Sequence, residues 1–125
     1  MSQDELHSAM LKADFWCYLS DYEETYCITA LEMQYARVLP IVAKVAALKE
    51  TVCSGIILDH NETMWDTLIE TLKQLSPSLK RFAKAKAHQW AAKQTWSQRA
   101  YDWKVLFDDL MKKDTEQKEL LQHEN

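Results

Sequence analysis

The feature that most constrains this sequence is its near-complete lack of glycine. Gly55 is the only glycine in 125 residues, whereas an average usage of about 7% would give about nine. Glycine supplies the positive φ angles of tight hairpin turns and of phosphate-binding loops. We therefore expect few tight turns, and the sequence predicts an all-α protein made of helices joined by short connections.

The composition fits one domain with a substantial hydrophobic core, since 47% of the residues are apolar. The first residues are acidic and lack the basic and apolar segments of a secretory signal. The longest apolar stretch, residues 38–48, is interrupted by a proline and a lysine and falls short of the roughly 20 residues that span a bilayer. Cys17, Cys27 and Cys53 are odd in number and lie at helical apolar positions, which indicates reduced core thiols. We expect a cytoplasmic or nuclear protein with no membrane span.

Apolar residues recur at helical spacing through the first half of the chain. Ser2 and Glu5 form a capping box that begins a helix predicted over residues 3–19. A second apolar stripe leads up to the first proline, and a third continues beyond it and ends at Gly55, where we expect a helix C-cap. Residues 56–60 are predicted to form a loop.

A long helix is predicted in the second half, after one amphipathic helix that precedes it. Ser76 and Pro77 are an N-cap and a first-position proline. No helix breaker follows until about residue 113, so a helix over residues 77–113 would be roughly 54 Å long. A compact domain of this chain length has a diameter of only roughly 36 Å. The apolar face of this helix changes direction near residues 95–97, so we expect a bend there or different packing partners for the two halves of the helix. The prediction is an elongated bundle of four to five helices over residues 1–113 with a long C-terminal helix, followed by a polar, fraying tail over residues 114–125.

Patterns for catalysis and metal binding are weak. The best metal-like group is Asp59, His60 and Glu62, which fits a capping turn better than a metal site. A single glycine cannot build a glycine-rich phosphate loop. Adjacent carboxylates such as Glu23 and Glu24 would point about 100° apart on a helix and look like solvated charges. We therefore predict a non-enzymatic protein with no catalytic residues, no metal and no cofactor.

Basic charge and aromatic rings are concentrated in residues 80–104. Seven basic residues stand there against one acid, Asp102. Basic side chains contact phosphates and aromatic rings stack on unpaired bases, so an accessory subunit that binds nucleic acid is the alternative function. The basic residues do not form one stripe on a helix, which weakens this alternative. Its candidate contacts are Lys80, Arg81, Lys84, Lys93 and Arg99.

Aromatic residues also cover nearly every face of the predicted first helix. A helix that is apolar all round must be covered all round, and Tyr, Trp and Arg are the usual anchors of interfaces. Residues 1–36 carry seven acids against one lysine, so the acidic and basic ends could pair within one chain or between two. We predict an adaptor, regulator or inhibitor that docks on another protein, with a homodimer as one form of that interaction. The candidate contacts are Trp16, Tyr18, Tyr22, Tyr26, Trp96, Arg99 and Trp103.

Overall fold

The computed structural model describes residues 2–123, with side chains described through Lys118. Within these residues three β-strands are interleaved with helices, so the fold is mixed α/β and the all-α helical-bundle prediction is wrong. The strands pair in the order β1-β2-β3, and both pairs are parallel. The elements are α1 (Gln3–Lys12), β1 (Phe15–Tyr18), α2 (Ile28–Tyr35), β2 (Leu39–Ala43), α3 (Leu48–Thr51), β3 (Ile56–Leu58), α4 (Met64–Gln74), α5 (Pro77–Ala91) and α6 (Trp96–His123).

The helix predicted over residues 3–19 is correct only at its start. The capping box is present: the Glu5 amide donates to the Ser2 hydroxyl at 3.3 Å, and the Ser2 amide donates to the Glu5 carboxylate at 2.6 Å. The helix ends at Lys12, and β1 follows with side chains that alternate between exposed and half-buried. This period of two covers only 4 residues, which is too short to stand out against a helical pattern in the sequence.

β2 is the central strand, and the helix predicted after Pro40 is wrong. All 5 residues of β2 are buried, as in parallel sheets that are covered on both faces, where strands are continuous apolar runs. The Leu39 amide donates to the Asp14 carbonyl in the direction of β1. Successive backbone nitrogens of a strand point to opposite neighbours, so the Pro40 nitrogen points toward β3. The pairing of β2 with β3 begins only at Ile41 and Ile56. The missing proline N–H therefore removes no ladder hydrogen bond.

Gly55 does not cap a helix; it precedes β3. A Cβ atom at this position would lie 2.5 Å from the Pro40 carbonyl oxygen, closer than any side chain can approach. The one glycine of the chain is thus required by a close approach between two backbone segments.

The core lies on both faces of the sheet. On one face, side chains of β2 and β3 pack against Met64 and Leu68 of α4. On the other face, Val42 packs with Ala30 of α2 and Leu48 of α3. Helices on two faces of a parallel sheet are the usual result of β-α-β connections.

The C-terminal helices follow the sequence prediction more closely. Ser76 caps α5 and Pro77 occupies its first turn, as predicted. The chain is interrupted between α5 and α6, where a bend was expected. It divides into two compact units, Met1–Ala92 and Lys93–Asn125. The tail predicted from residue 114 begins inside α6, which continues to His123, and its last two residues lie outside the described part of the chain.

The cysteines are free thiols, but their predicted place in a helical core is wrong. Cys17 is exposed on β1, while Cys27 and Cys53 are half-buried. Among the described residues, no helix has the length and apolar character needed to cross a membrane.

Candidate functional site

The three strands end at the same edge of the sheet, which we call the carboxyl edge. It comprises the connections that leave β1, β2 and β3, residues 19–27, 44–47 and 59–63. In open α/β sheets, ligands bind outside the carboxyl ends of the strands, at the point where the strand order reverses. The described sheet runs β1-β2-β3 without a reversal, so the rule supplies only the carboxyl ends as the side on which to look. The carboxyl edge is therefore the first place to look for a binding site in this fold.

The opposite edge of the sheet is occupied by α5. Lys84 of α5 contacts Asp14, the residue before β1, with 2.7 Å between Nζ and Oδ1. His88 of α5 lies 2.6 Å from the carbonyl oxygen of Tyr35, which precedes β2, measured from its Nδ1. These contacts place α5 beside the amino ends of β1 and β2, at what we call the amino edge. The carboxyl edge is formed by the three connections named above.

The connection after β1 is held in place by two hydrogen bonds that meet at Glu24. The Tyr18 hydroxyl donates to the Glu24 carboxylate at 3.0 Å, and this bond, together with desolvation, raises the pKa of Tyr18 above its ordinary value of 10.0. The Ala47 amide, beyond β2, donates to the Glu24 carbonyl at 3.2 Å. Glu24 thus ties the first connection to the second.

Two non-glycine residues at the carboxyl edge have left-handed backbone conformations. Cys27, just before α2, has φ 61°, and Ala46, after β2, has φ 43°. Such a conformation costs a side-chain-bearing residue roughly 1–2 kcal/mol. A third residue, Arg37, has φ 61° at the opposite edge, before β2, so backbone strain alone does not distinguish the two edges. Burial raises the pKa of the Cys27 thiol, so this cysteine stays protonated and is a poor nucleophile.

The first turn of α2 presents backbone amides at the carboxyl edge. The side chain of Cys27 does not cap the helix. Its carbonyl accepts from the Ala30 amide at 3.0 Å, but in the described part of the chain no acceptor meets the amides of Ile28 and Thr29. Free amides at a helix N-terminus, where the helix dipole is positive, are suited to an anionic group.

The exposed side chains at the carboxyl edge are polar or aromatic. Lys44 follows β2, and its Nζ lies 3.7 Å from the Asp59 carboxylate after β3. The carboxylates of Asp21 and Glu23 are exposed, and the Tyr22 ring is 66% exposed. Carboxylates accept hydrogen bonds from ligand hydroxyls, lysine attracts phosphate, and an exposed ring offers a stacking surface. The described residues contain no cluster of three or more His, Cys, Asp or Glu side chains that could hold a metal ion.

The first four predicted partner contacts do not share a surface. Trp16 and Tyr18 stack on each other, with ring centroids 5.4 Å apart, and pack against the core on the inner side of β1. Tyr22 and Tyr26 lie in the connection after β1 and are exposed. The helix that was expected to join all four is absent because this segment is a strand and a loop.

The other three predicted contacts lie together on α6. Trp96 is 86% exposed and Trp103 is 58% exposed, and the Trp103 ring stacks on Phe107 with centroids 5.6 Å apart. Arg99 forms an ion pair with Asp102 at 3.3 Å. These side chains belong to one exposed helix.

The basic residues of the nucleic-acid alternative are divided between the two units. Lys80, Arg81 and Lys84 lie on α5, and Lys93 and Arg99 belong to the C-terminal unit. Lys80 and Lys84 both pair with Asp14, and the Lys80 ammonium lies 5.3 Å from the centroid of the Phe15 ring. Arg99 pairs with Asp102, so three of the five charges are already engaged within the chain.

Gln34 is a structural residue that the sequence does not reveal. Its side chain is fully buried; Nε2 donates to the Thr51 carbonyl at 2.8 Å and Oε1 accepts from the Cys53 amide at 2.9 Å. These bonds fix α2, and with it the amides at the carboxyl edge, against the segment that leads into β3. The only signal in the sequence is one glutamine within an otherwise apolar stripe.

Comparison with known proteins assigns no family: no protein-family model matches the chain, and no curated protein is significantly similar to it in sequence.

Proposed function

We propose that the chain is an α/β domain that binds a small ligand at the carboxyl edge, and that this ligand carries both hydroxyl groups and a phosphate, as a nucleotide does. The observation that carries the proposal is the convergence of three parallel strand ends with the uncapped first turn of α2. A β-α-β-α-β unit is the half-domain that binds a mononucleotide in doubly wound folds. Two features therefore support the proposal: the arrangement of strands and helices, and the chemistry of the residues at the carboxyl edge.

Each part of such a ligand has a counterpart at the carboxyl edge. The amides of Ile28 and Thr29 are suited to the phosphate, together with Lys44, whose exposed ion pair with Asp59 a phosphate can replace. The exposed carboxylates of Asp21 and Glu23 are suited to hydroxyl groups, because they accept hydrogen bonds in two directions. The glycine-rich loop usual in such sites is missing, but Cys27 adopts the positive φ that glycine would otherwise supply.

The test is isothermal titration calorimetry of the full chain with a panel of nucleoside diphosphates and with inorganic phosphate alone. We expect one or more nucleotides to bind, and Lys44→Ala to weaken that binding by about tenfold through the loss of one charge-assisted contact. The matched control is Lys86→Ala, an exposed lysine on α5, which should leave the affinity unchanged. Absence of binding for the whole panel, or equal losses in both variants, would refute the proposal.

The functions predicted from the sequence stay predictions. The predicted interaction with another protein is limited to α6, because Trp96, Arg99 and Trp103 all lie on this helix. The nucleic-acid alternative is weakened because Lys80 and Lys84 pair with Asp14. We also place the protein in the cytoplasm or nucleus, since a reducing compartment suits its free cysteines.

A further inference from the structure

α6 carries an exposed apolar stripe with a regular spacing. Its members follow one another at intervals of four, three, four and three residues, which is the heptad spacing of helices that pack against another helix. The stripe includes the most exposed tryptophan, Trp96, and the stacked pair of Trp103 and Phe107. We define the α6 stripe as Trp96, Ala100, Trp103, Phe107 and Leu110.

Basic side chains flank the α6 stripe on both sides. At about 100° per residue, Arg99, Lys104 and Lys113 lie about 60°, 80° and 100° from the centre of the stripe. Their acidic partners lie further round the helix, at about 120° to 140° from that centre. The bases are therefore nearer than the acids to whatever covers the stripe.

The ion pairs of these bases do not prevent them from binding a partner. The Nζ of Lys104 is 2.6 Å from the Asp108 carboxylate, and the Nζ of Lys113 is 3.6 Å from the Asp109 carboxylate. Both are intrahelical pairs whose side chains are more than half exposed. Exposed pairs of this kind contribute little, so a carboxylate from a partner can share or replace the internal one.

A second copy of the chain is a poor occupant of the α6 stripe. Residues next to a heptad stripe meet the corresponding flanking residues of the facing helix and set the choice of partner. In a pair of α6 helices, parallel or antiparallel, basic flanks would therefore meet basic flanks. Like charges at these positions are unfavourable, whereas an acidic flank would be attracted.

We propose that the α6 stripe docks an amphipathic helix of another protein, one whose apolar face is bordered by Asp or Glu. The apolar stripe supplies the buried contact, with Trp103 and Phe107 as anchors. Arg99, Lys104 and Lys113 select the acidic border.

The proposal is tested on the full chain with two synthetic helical peptides of about four heptads, with leucine at the apolar heptad positions. One peptide has Glu at every flanking position and the other has Lys, so neither pairs with itself. Calorimetry should give at least tenfold tighter binding of the Glu peptide at low salt, with a preference that shrinks as salt is raised. Phe107→Ser should abolish binding of that peptide without loss of helix content by circular dichroism.

Charge reversal makes the test specific. The variant Arg99→Glu, Lys104→Glu and Lys113→Glu should prefer the Lys peptide. Its control, Arg81→Glu, Lys86→Glu and Lys112→Glu, makes the same change of net charge outside the border of the stripe and should keep the original preference. Equal or tighter binding of the Lys peptide by the native chain would overturn the acidic specificity. No binding of either peptide, or a homodimer in sedimentation equilibrium that Phe107→Ser abolishes, would overturn the proposed partner altogether.

Discussion

At the scale of single residues, the buried side chain of Gln34 joins α2 to the segment that leads into β3. Its amide group bonds the carbonyl of Thr51 and the amide of Cys53, two residues on either side of the end of α3. A third bond, to the carbonyl of Ala30, lies within α2 at 3.0 Å. Since buried polar groups are costly when unpaired, the position of α2 depends on this one side chain.

Gln34→Met keeps the length of the side chain and removes its amide group. The Cys53 amide and the Thr51 carbonyl would then be buried without their partner, and we expect the free energy of unfolding to fall by about 2–4 kcal/mol. Urea denaturation measures the change. Gln89→Met, at an exposed position of α5, should change it by no more than about 0.5 kcal/mol; equal effects at the two positions would show that the buried bonds contribute nothing.

At the scale of elements, two ion pairs join α5 to Asp14, the residue before β1, and we call this arrangement the clamp. Lys84 and Lys80 both reach the Asp14 carboxylate, at 2.7 and 3.3 Å. The hydrogen bond from Lys84, followed by that from Lys80, holds the pKa of Asp14 below its ordinary value of 3.8. The carboxylate follows α1 and precedes β1, so the clamp joins α5 to the amino edge of the sheet.

The clamp predicts a pH dependence of stability. Because the folded-state pKa of Asp14 is lowered, the contribution is complete above the unfolded value of 3.8 and is lost as the pH falls through the lowered pKa. Asp14→Asn should therefore reduce the loss of stability on acidification, measured as the shift of the urea midpoint between neutral and acidic pH. Asp66→Asn, an exposed position on α4, is the comparison; an identical pH profile in native chain and Asp14→Asn would contradict the clamp.

The elements also show why the sequence predicted some of the structure and missed the sheet. Helices of 11 or more residues, α4, α5 and α6, have apolar spacings long enough to identify, and the caps at Ser2 and Ser76 carry their own local signal. The strands have only 3 to 5 residues, which is too few for their apolar pattern to be identified in the sequence. The glycine argument correctly implied few hairpins, but parallel strands are joined by helical crossovers and need no hairpin turn.

The candidate site was predictable only in part for the same reason. Tyr22 and Tyr26 were predicted as contacts to a partner protein on the face of a helix, whereas they lie exposed in the connection after β1, at the carboxyl edge. The free amides of Ile28 and Thr29 could not be identified, because their role depends on α2 following a strand. Lys44 and Asp59 approach each other only because β2 and β3 are neighbours in register.

At the scale of the whole molecule, the two units carry surfaces of different chemistry. The unit Met1–Ala92 has the carboxyl edge, which is polar and built from three connections. The unit Lys93–Asn125 has the α6 stripe, which is apolar with a basic border. We therefore expect small-ligand binding and protein binding to be separable by mutation, with Lys44→Ala affecting the first and Phe107→Ser the second.

The most direct test of the account is the location of ligand contacts on the sheet unit. Backbone amide resonances of the ¹⁵N-labelled chain would be followed by NMR while the tightest-binding nucleoside diphosphate is added. We predict that the perturbed amides fall in residues 19–29, 44–47 and 59–63. Perturbations centred on the amino edge, around Asp14, Tyr35 and α5, or no perturbation at saturating ligand, would contradict it.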